Sequence, residues 1–305
     1  MFNLIQKRRW YFLISAVLLG LGIVAMIYSL ATLGSPVRLG IDFTSGSLLE
    51  LRFEGPVDAD EVREMVTNAG FADATVQRVG EGNQVVIRTK TMDVDTKEAL
   101  KVELAGRFGS ATELRYENVG PTIGRETTRA AVLAIIAASV AILFFIAIAF
   151  RKVPNAFRYG VCAITKMFHD VIFLLGVASL LGLLAGWEVD ALFLTAVVTV
   201  VGFSVQDVIV VFDRIRENIR RRRGEPYETI VNRSLLETLH RSLATQLNAI
   251  FVMIAIIFFG GATIRQFMAV MLIGMVTGTY SSLFFAVPML VAWERGEIGR
   301  LFRRA

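Results

Sequence analysis

Cysteine and histidine are scarce in this chain, which limits the kinds of site that it can contain. Among its 305 residues there are one cysteine and two histidines. Cys162 cannot form a disulfide within the chain, and no Cys/His pair has the spacing of a metal site. Since Cys162 falls inside an apolar segment, we interpret its thiol as a small hydrophobic group. The sequence therefore excludes an internal disulfide framework and favours no metal cofactor.

Motifs that mark common enzyme classes are absent as well. The chain has no GxxxxGK[ST] phosphate-binding loop, no HExxH zinc-protease motif and no GxSxG nucleophile elbow. We therefore predict a protein that is not an enzyme and that neither hydrolyses ATP nor cleaves peptides. If such a protein performs work, an ion gradient is the expected energy source. Protons would then be the coupling ion, and no other cofactor is predicted.

Apolar sequence, by contrast, is abundant. Hydrophobic residues make up 54% of the chain, and the mean hydropathy is +0.58. A hydrocarbon layer about 30 Å thick requires roughly 20 apolar residues in a helix, and several apolar blocks reach that length. We predict an α-helical membrane protein with six transmembrane helices near residues 10–31, 128–150, 160–185, 191–212, 242–259 and 267–293.

Basic residues are concentrated in short segments beside the apolar blocks, and they predict the topology. The net charge is +5, but no basic patch interleaved with aromatic residues suggests nucleic-acid binding. Short basic loops stay in the cytoplasm. Both termini are therefore predicted to be cytoplasmic, with a basic lead and first helix over 1–31 and a basic tail over 294–305. The basic residues that decide this include Arg151, Lys152, Arg158, Arg214, Arg223, Arg233, Arg295, Arg300, Arg303 and Arg304.

A polar segment over 32–127 is predicted to form one external domain, followed by helices two to six over 128–293. Asp58 is the predicted N-cap of its first helix, with Glu61 three residues later as in a capping box. The order β-α-β-β-α-β predicts a ferredoxin-like domain. The expected elements are strand 46–53, helix 58–69, strands 74–79 and 84–89 joined by the turn 80–83, a helix from Asp93 or Asp95 to 108, and strand 112–118.

Ionisable residues within the apolar blocks are the strongest functional signal, because charges in the membrane are costly. At a rise of about 1.5 Å per residue, Asp170, Asp207 and Arg241 lie about 24 to 28 Å from the outer boundary. We therefore predict a proton or ion relay in which Asp207, Arg241 and Asp170 couple to protons. Lys166 accompanies Asp170 in the third block. The surrounding polar layer is predicted to contain His169, Gln206, Thr245, Gln246, Ser281 and Ser282.

Each of these features also has a plainer interpretation. Arg241 and Lys166 could snorkel to the inner interface of the membrane, and His169 could pack or hydrogen-bond within the bundle. Gly274 and Gly278 form a GxxxG face in the sixth block, which indicates close helix packing or a sliding interface. In lipid, this face is also expected to offer a packing surface to a second six-helix bundle.

Five segments of the sequence resemble the motifs of one known protein family. Residues 40–47, GIDFTSGS, resemble a GIDFTGG segment of that family. Residues 119–126, VGPTIGRE, resemble the sequence that leads into its second helix. The pair His169-Asp170, the signature VGFSVQDVIVVFDRIREN over 201–218 and GTYSS over 278–282 also match. The chain thus resembles the SecD/SecF family, whose members are similar to RND-type transporters. The resemblance covers nearly the whole chain, and its motifs occur in the family's order.

The sequence departs from the family pattern at a few positions. The fourth helix of the family usually has Tyr and Asn-Asp-Thr, where this chain has Phe203 and the run Gln206-Asp207-Val208. The family segment GIDFTGG ends in two glycines, where this chain has Ser45 and Gly46. Lys166 occupies a position where small apolar residues are usual.

The resemblance, chiefly to the SecF members of the family, implies a fold and a role. The fold would be half of an RND-type transporter. The chain would pair with SecD in the cell inner membrane and use the proton motive force to assist preprotein export through SecYEG. Asp207 and Arg241 match the positions of the family's proton-coupling residues. The external domain would contact the emerging preprotein or partner subunits.

Two other functions stay open. One is a half-subunit of a proton-driven RND-type small-molecule exporter, although such chains usually carry large duplicated external domains. The other is a purely structural membrane scaffold, which leaves the charged layer without a role. Because the sequence contains one six-helix half, we expect it to work only with a second half, with its fourth helix at the interface.

Overall fold

The computed structural model describes residues 3–79, 82–150, 156–222 and 224–297. Several residues of the sequence predictions lie outside these ranges. They are Met1 of the basic lead, Gly80 and Glu81 of the predicted turn, Arg151, Lys152 and Arg223 of the basic loops, and Arg300, Arg303 and Arg304 of the tail.

The described residues form ten α-helices and a four-stranded sheet. A 3₁₀ turn, Ile5–Lys7, precedes the first helix, and a π-helical segment, Ser281–Ala286, joins the last two. Two compact units result, one of membrane helices and one built around the sheet. In chain order the elements are α1 (Arg8–Leu33), α2 (Ile41–Thr44), β1 (Gly46–Phe53), α3 (Ala59–Asn68), β2 (Thr75–Val79), β3 (Gln84–Thr89), α4 (Val94–Phe108), β4 (Ala111–Val119), α5 (Pro121–Phe150), α6 (Ala156–Ala185), α7 (Ala191–Arg221), α8 (Tyr227–Phe259), α9 (Ala262–Tyr280) and α10 (Val287–Glu294).

Six helices within the described residues are long and apolar enough to cross a membrane, as predicted. The helix α8 nevertheless begins at Tyr227, well before the apolar block at 242. Hydropathy misses this extension because only one of its faces is apolar, with Val231 and Leu235 buried. Arg241, which directly precedes the predicted apolar block at 242–259, therefore lies within α8.

Close packing among the membrane helices depends on glycine at two crossings. A β-carbon at Gly176 of α6 would lie 2.5 Å from the Cα of Gly22 in α1. A β-carbon at Gly274 of α9 would lie 2.5 Å from Cγ2 of Val200 in α7. In lipid, helix association relies on such close approach, because no hydrophobic driving force acts between the helices. Glycine thus brings α1 against α6 and α9 against α7.

The sheet unit comprises residues 38–133 and 186–191. Its strand order is β2-β3-β1-β4, and every neighbouring pair is antiparallel. The side chains of Leu49, Leu51 and Phe53 alternate along β1 and are buried against the helices α3 and α4, as a strand with one covered face requires. This arrangement confirms the predicted ferredoxin-like order of elements.

Both long helices of the sheet unit begin at aspartate caps. The Asp58 carboxylate accepts the backbone N–H of Asp60 at 2.9 Å, and Asp93 accepts that of Thr96 at 3.1 Å. Each carboxylate satisfies one of the N–H groups that a helix leaves free at its start. The predicted cap at Asp58 is confirmed, and the structure selects Asp93 over Asp95 for the second helix.

The segment 186–191, which includes the residues between the third and fourth predicted helices, belongs to the sheet unit. The Val189 N–H donates to the Arg38 carbonyl at 2.8 Å, next to a short parallel bridge. The Glu188 carboxylate lies 2.5 Å from Nε of Arg88 and 3.5 Å from Nε of Arg38. Since this segment joins α6 to α7, the sheet unit holds the connection between these two membrane helices.

Candidate functional site

Three residues of α6 form the centre of a buried polar cluster. Lys166 and Asp170 are one helical turn apart, so they lie on the same face. Lys166 Nζ lies 2.9 Å from Asp170 Oδ2, and their side chains are 0% and 1% exposed. His169 Nδ1 lies 3.1 Å from Asp170 Oδ1, and its ring packs on Phe285. Lys166 therefore does not snorkel to the interface but pairs inside the bundle.

Hydroxyl groups of α7 and of the π-helical segment complete the surroundings of Asp170. Ser204 Oγ donates a hydrogen bond to Asp170 Oδ2, and the Ser281 side chain interacts with the same carboxylate. Ser282 Oγ donates to the carbonyls of Gly278 at 2.7 Å and Ser204 at 3.3 Å. π-Helical turns are rare and are frequent at functional sites. Here the turn places two serines beside α6 and α7.

Asp207 on α7 has a different environment. Its Oδ2 accepts a hydrogen bond from Nε2 of Gln246 in α8 at 2.6 Å, and the residue is 8% exposed. Lys166 acts on Asp207 electrostatically, but no described cation forms an ion pair with it. The Gln246 Oε1 atom is buried and has no hydrogen-bond partner among the described residues. Asp207 is thus a nearly buried carboxylate whose direct partner is a neutral amide.

Arg241 does not meet Asp207. The residue is exposed, and its guanidinium forms no ion pair with any described residue. Arg241 and Gln246 are five positions apart on α8, so they point about 140° apart around the helix axis. Gln246 faces Asp207, and Arg241 consequently faces away. The sequence places the two charges at similar depth, but the described structure does not bring Asp207 and Arg241 together.

Gln206 and Thr245 lie with Arg241 on the exposed side of α7 and α8. An open groove of about 480 Å³ is lined by Gln206 and Thr245 and reaches Asp207. Methionine dominates its apolar wall, which includes Met253, Met268, Met271 and Met275. The polar layer therefore has a buried part around Asp170 and an exposed part near Arg241, with the Asp207–Gln246 pair between them.

The GxxxG face of the sixth span is occupied within the chain. A β-carbon at Gly278 would lie 3.0 Å from Oγ of Ser204, and one at Gly274 would lie 2.5 Å from Val200. Both glycines therefore allow α7 to pack closely against the sixth span, as small residues do at helix crossings in lipid. The expectation that this face is free for a second six-helix bundle is wrong.

Sequence reasoning misses two features of this site. Ser204 is not among the predicted residues, although a serine three positions before Asp207 in an apolar helix is a visible signal. The pairing of Lys166 with Asp170 is not predicted either, although their (i, i+4) spacing permits it. Among the described residues, no group of His, Cys, Asp and Glu is arranged to hold a metal ion.

Two family models match the chain. The model described as "Protein export membrane protein SecD/SecF, C-terminal" matches residues 99–296. This stretch contains α5 to α10 and hence every residue of the site. The model described as "SecD/SecF GG Motif" matches residues 30–57, which contain the end of α1, the short helix α2 and β1.

Curated relatives match over nearly their full length. The protein translocase subunit SecF of Thermobaculum terrenum is 45% identical over 315 residues, which cover 100% of this chain and 98% of the relative. The protein of the same name from Anaerolinea thermophila is 45% identical over 309 residues, again covering 100% and 98%.

Solved structures of SecDF share the fold. The crystal structure of SecDF, a translocon-associated membrane protein from Thermus thermophilus, has a TM-score of 0.82 at 32% identity and covers 96% of this chain. SecDF in a super-membrane-facing form has a TM-score of 0.66 at 32% identity. The chain spans only 39% of the first SecDF chain and 40% of the second. This likeness confirms the predicted fold, one half of an RND-type transporter.

Proposed function

The chain belongs to the SecD/SecF family of protein export membrane proteins, and we propose that it is the SecF subunit of the Sec translocase, driven by the proton motive force. It resides in the cell inner membrane with both termini in the cytoplasm. It assists late steps of preprotein export through SecYEG and hydrolyses no ATP. The observation that carries the proton step is the nearly buried Asp207, whose direct partner is the neutral amide of Gln246.

A SecD-like partner is supported by the likeness to SecDF and by the exposed polar groups of this chain. The chain matches 39% of the SecDF chain, and the SecD-like part would pair with it. Gln206, Thr245 and Arg241 are exposed on α7 and α8, and polar groups at membrane depth require protein or water around them. A second six-helix bundle that covers α7 and α8 would provide that environment.

Asp207 is better suited to bind a proton than Asp170, because their partners differ. The Asp170 carboxylate has the Lys166 ammonium at 2.9 Å and accepts a hydrogen bond from Ser204. Protonating Asp170 would leave a buried cation without a counter-charge. Asp207 accepts one hydrogen bond from a neutral donor, so its protonation removes a charge from apolar surroundings. We therefore assign the proton step to Asp207 and ion pairing to Asp170.

Gln246 can serve both protonation states of Asp207. A side-chain amide offers two N–H donors and a carbonyl acceptor. Its Nε2 donates to the Asp207 carboxylate at 2.6 Å, while its Oε1 has no partner among the described residues. When Asp207 is protonated, its carboxyl O–H becomes a hydrogen-bond donor, and Oε1 of Gln246 is the acceptor within reach. Proton binding would therefore reverse the direction of this hydrogen bond without leaving either side chain unsatisfied.

Proton binding at Asp207 would shift the balance between two arrangements of α7 and its neighbours. The negative charge that attracts the Gln246 amide and the Lys166 ammonium would disappear. The π-helical segment Ser281–Ala286 is where the sixth span would adjust, because it already departs from α-helical hydrogen bonding. The segment 186–191 joins α6 to α7 and belongs to the external domain. Movement of α7 would therefore be transmitted to the external domain through this segment.

The substitution Asp207→Asn tests the proton step. Asparagine keeps the size and polarity of the side chain but cannot titrate. We expect normal abundance and normal co-purification with the SecD-like partner. The variant should nevertheless lose the gradient-dependent part of export, so that its rate falls to the rate measured without a gradient. The measurement is preprotein translocation into proteoliposomes with and without a proton gradient.

Asp213→Asn is the matched control for this test. Asp213 lies on the same helix, but its side chain is 58% exposed and pairs with Arg216. This control should retain the full response to the gradient. Full export by Asp207→Asn, or an equal loss in both variants, would show that the proton step does not reside at Asp207.

A further inference from the structure

We propose that the segment 186–191 is a rigid coupling element, held on the sheet unit by the ion pair of Glu188, which passes movement of α6 and α7 to the external domain. This inference deepens the proposed function and rests on it. The segment follows Ala185, the last residue of α6, and ends at Ala191, the first residue of α7. It lies within the sheet unit, where its backbone and its side chains make separate contacts.

Backbone hydrogen bonds hold the centre of the segment on both sides of one residue. The Val189 N–H donates to the Arg38 carbonyl, and the Gly40 N–H donates to the Val189 carbonyl, each at 2.8 Å. Val189 is thereby paired with Leu39 in a short parallel bridge, and it is buried. A β-carbon at Gly40 would lie 3.3 Å from the Val189 carbonyl oxygen, so glycine permits this close approach. The segment is therefore attached like a strand and not like a free loop.

Both ends of the segment are fixed as well. Gly186 has φ +69°, the left-handed conformation in which a glycine commonly ends a helix. A β-carbon there would lie 2.9 Å from Oε1 of Gln77 on β2. At the other end, the Ala191 N–H donates to Asp42 Oδ2 at 2.9 Å. Because only residues 187–190 lie between these two ends, little chain remains that could absorb a displacement.

The Glu188 side chain connects the segment to the middle of the sheet. Its carboxylate lies 2.5 Å from Nε of Arg88 and 3.5 Å from Nε of Arg38. Arg88 is on β3, which lies between β2 and β1 in the sheet. The three charged side chains are only 13 to 18% exposed. Separating such a pair leaves poorly hydrated charges without compensation, so the pair resists release of the segment.

Rigid attachment matters because the segment joins the two helices of the polar cluster. Asp170 precedes it on α6, and Asp207 follows it on α7. A flexible loop could absorb a movement of α7 that follows proton binding at Asp207. A segment held by backbone bonds and by an ion pair would instead transmit that movement. Glu188 and Arg88 are therefore positioning residues that act far from the proton step.

One cysteine pair tests this coupling in two redox states of the same protein. Leu39 and Val189 are paired across the bridge, and paired strands lie about 4.8 Å apart, which is within the Cα range of disulfides. Both are changed to cysteine in a Cys162→Ala background, since Cys162 is the only cysteine of the chain. The pair is combined with Arg88→Gln/Glu188→Gln, which removes both charges together and leaves neither without its partner.

We expect the reduced form of this combined variant to lose most of the gradient-dependent part of preprotein export, because the ion pair no longer holds the segment. Oxidation should restore that part, since the disulfide replaces the ion pair. The rate without a gradient should be equal in both forms. The purified complex with the SecD-like chain is assayed in proteoliposomes, and thiol labelling confirms the redox state. A full gradient response in the reduced form, or no recovery on oxidation, would overturn the proposal.

The same cysteine pair with the ion pair intact is the control. Its gradient response should be equal in the reduced and oxidised forms, because the segment stays attached throughout. A loss on oxidation that reduction reverses would show that the segment has to leave the sheet unit, which contradicts a rigid element. Arg107→Gln/Glu61→Gln is the matched charge control, because these side chains are 65% and 52% exposed on the same unit. It should keep the full gradient response.

Trp187 gives a readout that does not depend on export, because it belongs to the segment and is partly buried. In a Trp10→Phe/Trp293→Phe background, its quenching by acrylamide should increase in the reduced combined variant and return on oxidation. Equal quenching in the two forms and in the unchanged ion pair would overturn the role of Glu188. Export by the unchanged protein that shows no dependence on a gradient would instead overturn the proposed function.

Discussion

At the scale of single residues, the membrane bundle depends on positions that have no side chain. A β-carbon at Gly22 of α1 would lie 3.0 Å from the Cα of Gly176 in α6. A β-carbon at Gly20, the other glycine of α1, would have no atom of a neighbouring element within 4 Å. The two glycines look equivalent in an apolar sequence. They differ only in the direction that they face, which decides whether a larger residue is tolerated.

Replacing Gly22 by valine is expected to destabilise the bundle. The new side chain would meet the backbone of α6, which cannot move aside as a flexible side chain can. Overpacking of this kind costs about 1 to 3 kcal/mol. Thermal unfolding in mild detergent, followed by circular dichroism, should therefore show a lower midpoint for Gly22→Val.

Gly20→Val is the matched control, because it adds the same side chain to the same helix at an open position. Its midpoint should stay close to that of the unchanged protein. An equal decrease in both variants would mean that valine disturbs α1 itself and that contact with Gly176 is not the cause.

At the scale of elements, the segment 186–191 connects the sheet unit to the helices that carry the charged layer. It joins α6, which carries Asp170, to α7, which carries Asp207. The first backbone N–H of α7, at Ala191, donates to Asp42 Oδ2 at 2.9 Å. A carboxylate is favourable at a helix N-terminus, so the GIDFT segment stabilises the start of the helix that carries Asp207.

Glu188 is expected to give this segment a pH dependence. Burial raises the pKa of the Glu188 carboxyl above its ordinary value of 4.5, although Arg88 and Arg38 oppose the shift. The folded state then binds a proton that the unfolded chain releases, so stability falls as the pH rises through the folded pKa. Compared with Glu188→Gln, the unchanged protein should lose stability as the pH rises above 4.5.

Trp187, beside Glu188, provides the measurement. Its fluorescence during thermal unfolding is recorded at several pH values in a Trp10→Phe/Trp293→Phe background, since the chain has three tryptophans. Glu117→Gln is the control, because Glu117 pairs with an arginine on the same sheet but is 37% exposed. If the two glutamine variants alter the pH dependence alike, the burial of Glu188 is not its source.

At the scale of the whole molecule, the polar layer is closed on one side and open on the other. The ion pair of Lys166 and Asp170 is enclosed by protein. Gln206 and Thr245, by contrast, line the open groove, and Arg241 is exposed on the same helix as Thr245. Polar groups on the outer face of a membrane bundle are costly in lipid. The chain therefore has the surface of a subunit that is completed by another protein.

The proposed topology is tested by single cysteines. Thr67 on α3 and Arg221 at the end of α7 are exposed, and the buried Cys162 is replaced by alanine to give a cysteine-free background. An impermeant thiol reagent added to intact spheroplasts should label Thr67→Cys. Arg221→Cys should react only after the membrane is opened. Labelling of Arg221→Cys but not Thr67→Cys in closed spheroplasts would reverse the topology.

Features that depend on near neighbours in the chain are predictable from the residues alone. The length of an apolar run decides whether a helix can span the membrane, and alternation of apolar residues marks a strand. The strands 46–53 and 84–89 begin and end where predicted. Asp58 caps a helix because its carboxylate needs to reach only two residues along the chain.

Contacts between distant residues required the folded chain. The level of Asp170, Asp207 and Arg241 follows from the rise of a helix, which is a local property. The rotation of each helix depends on how it packs against its neighbours, so the sequence could not show that Ser204 faces Asp170 while Arg241 faces away. The bond between Val189 and Arg38 joins residues far apart in the chain, and only tertiary structure brings such residues together.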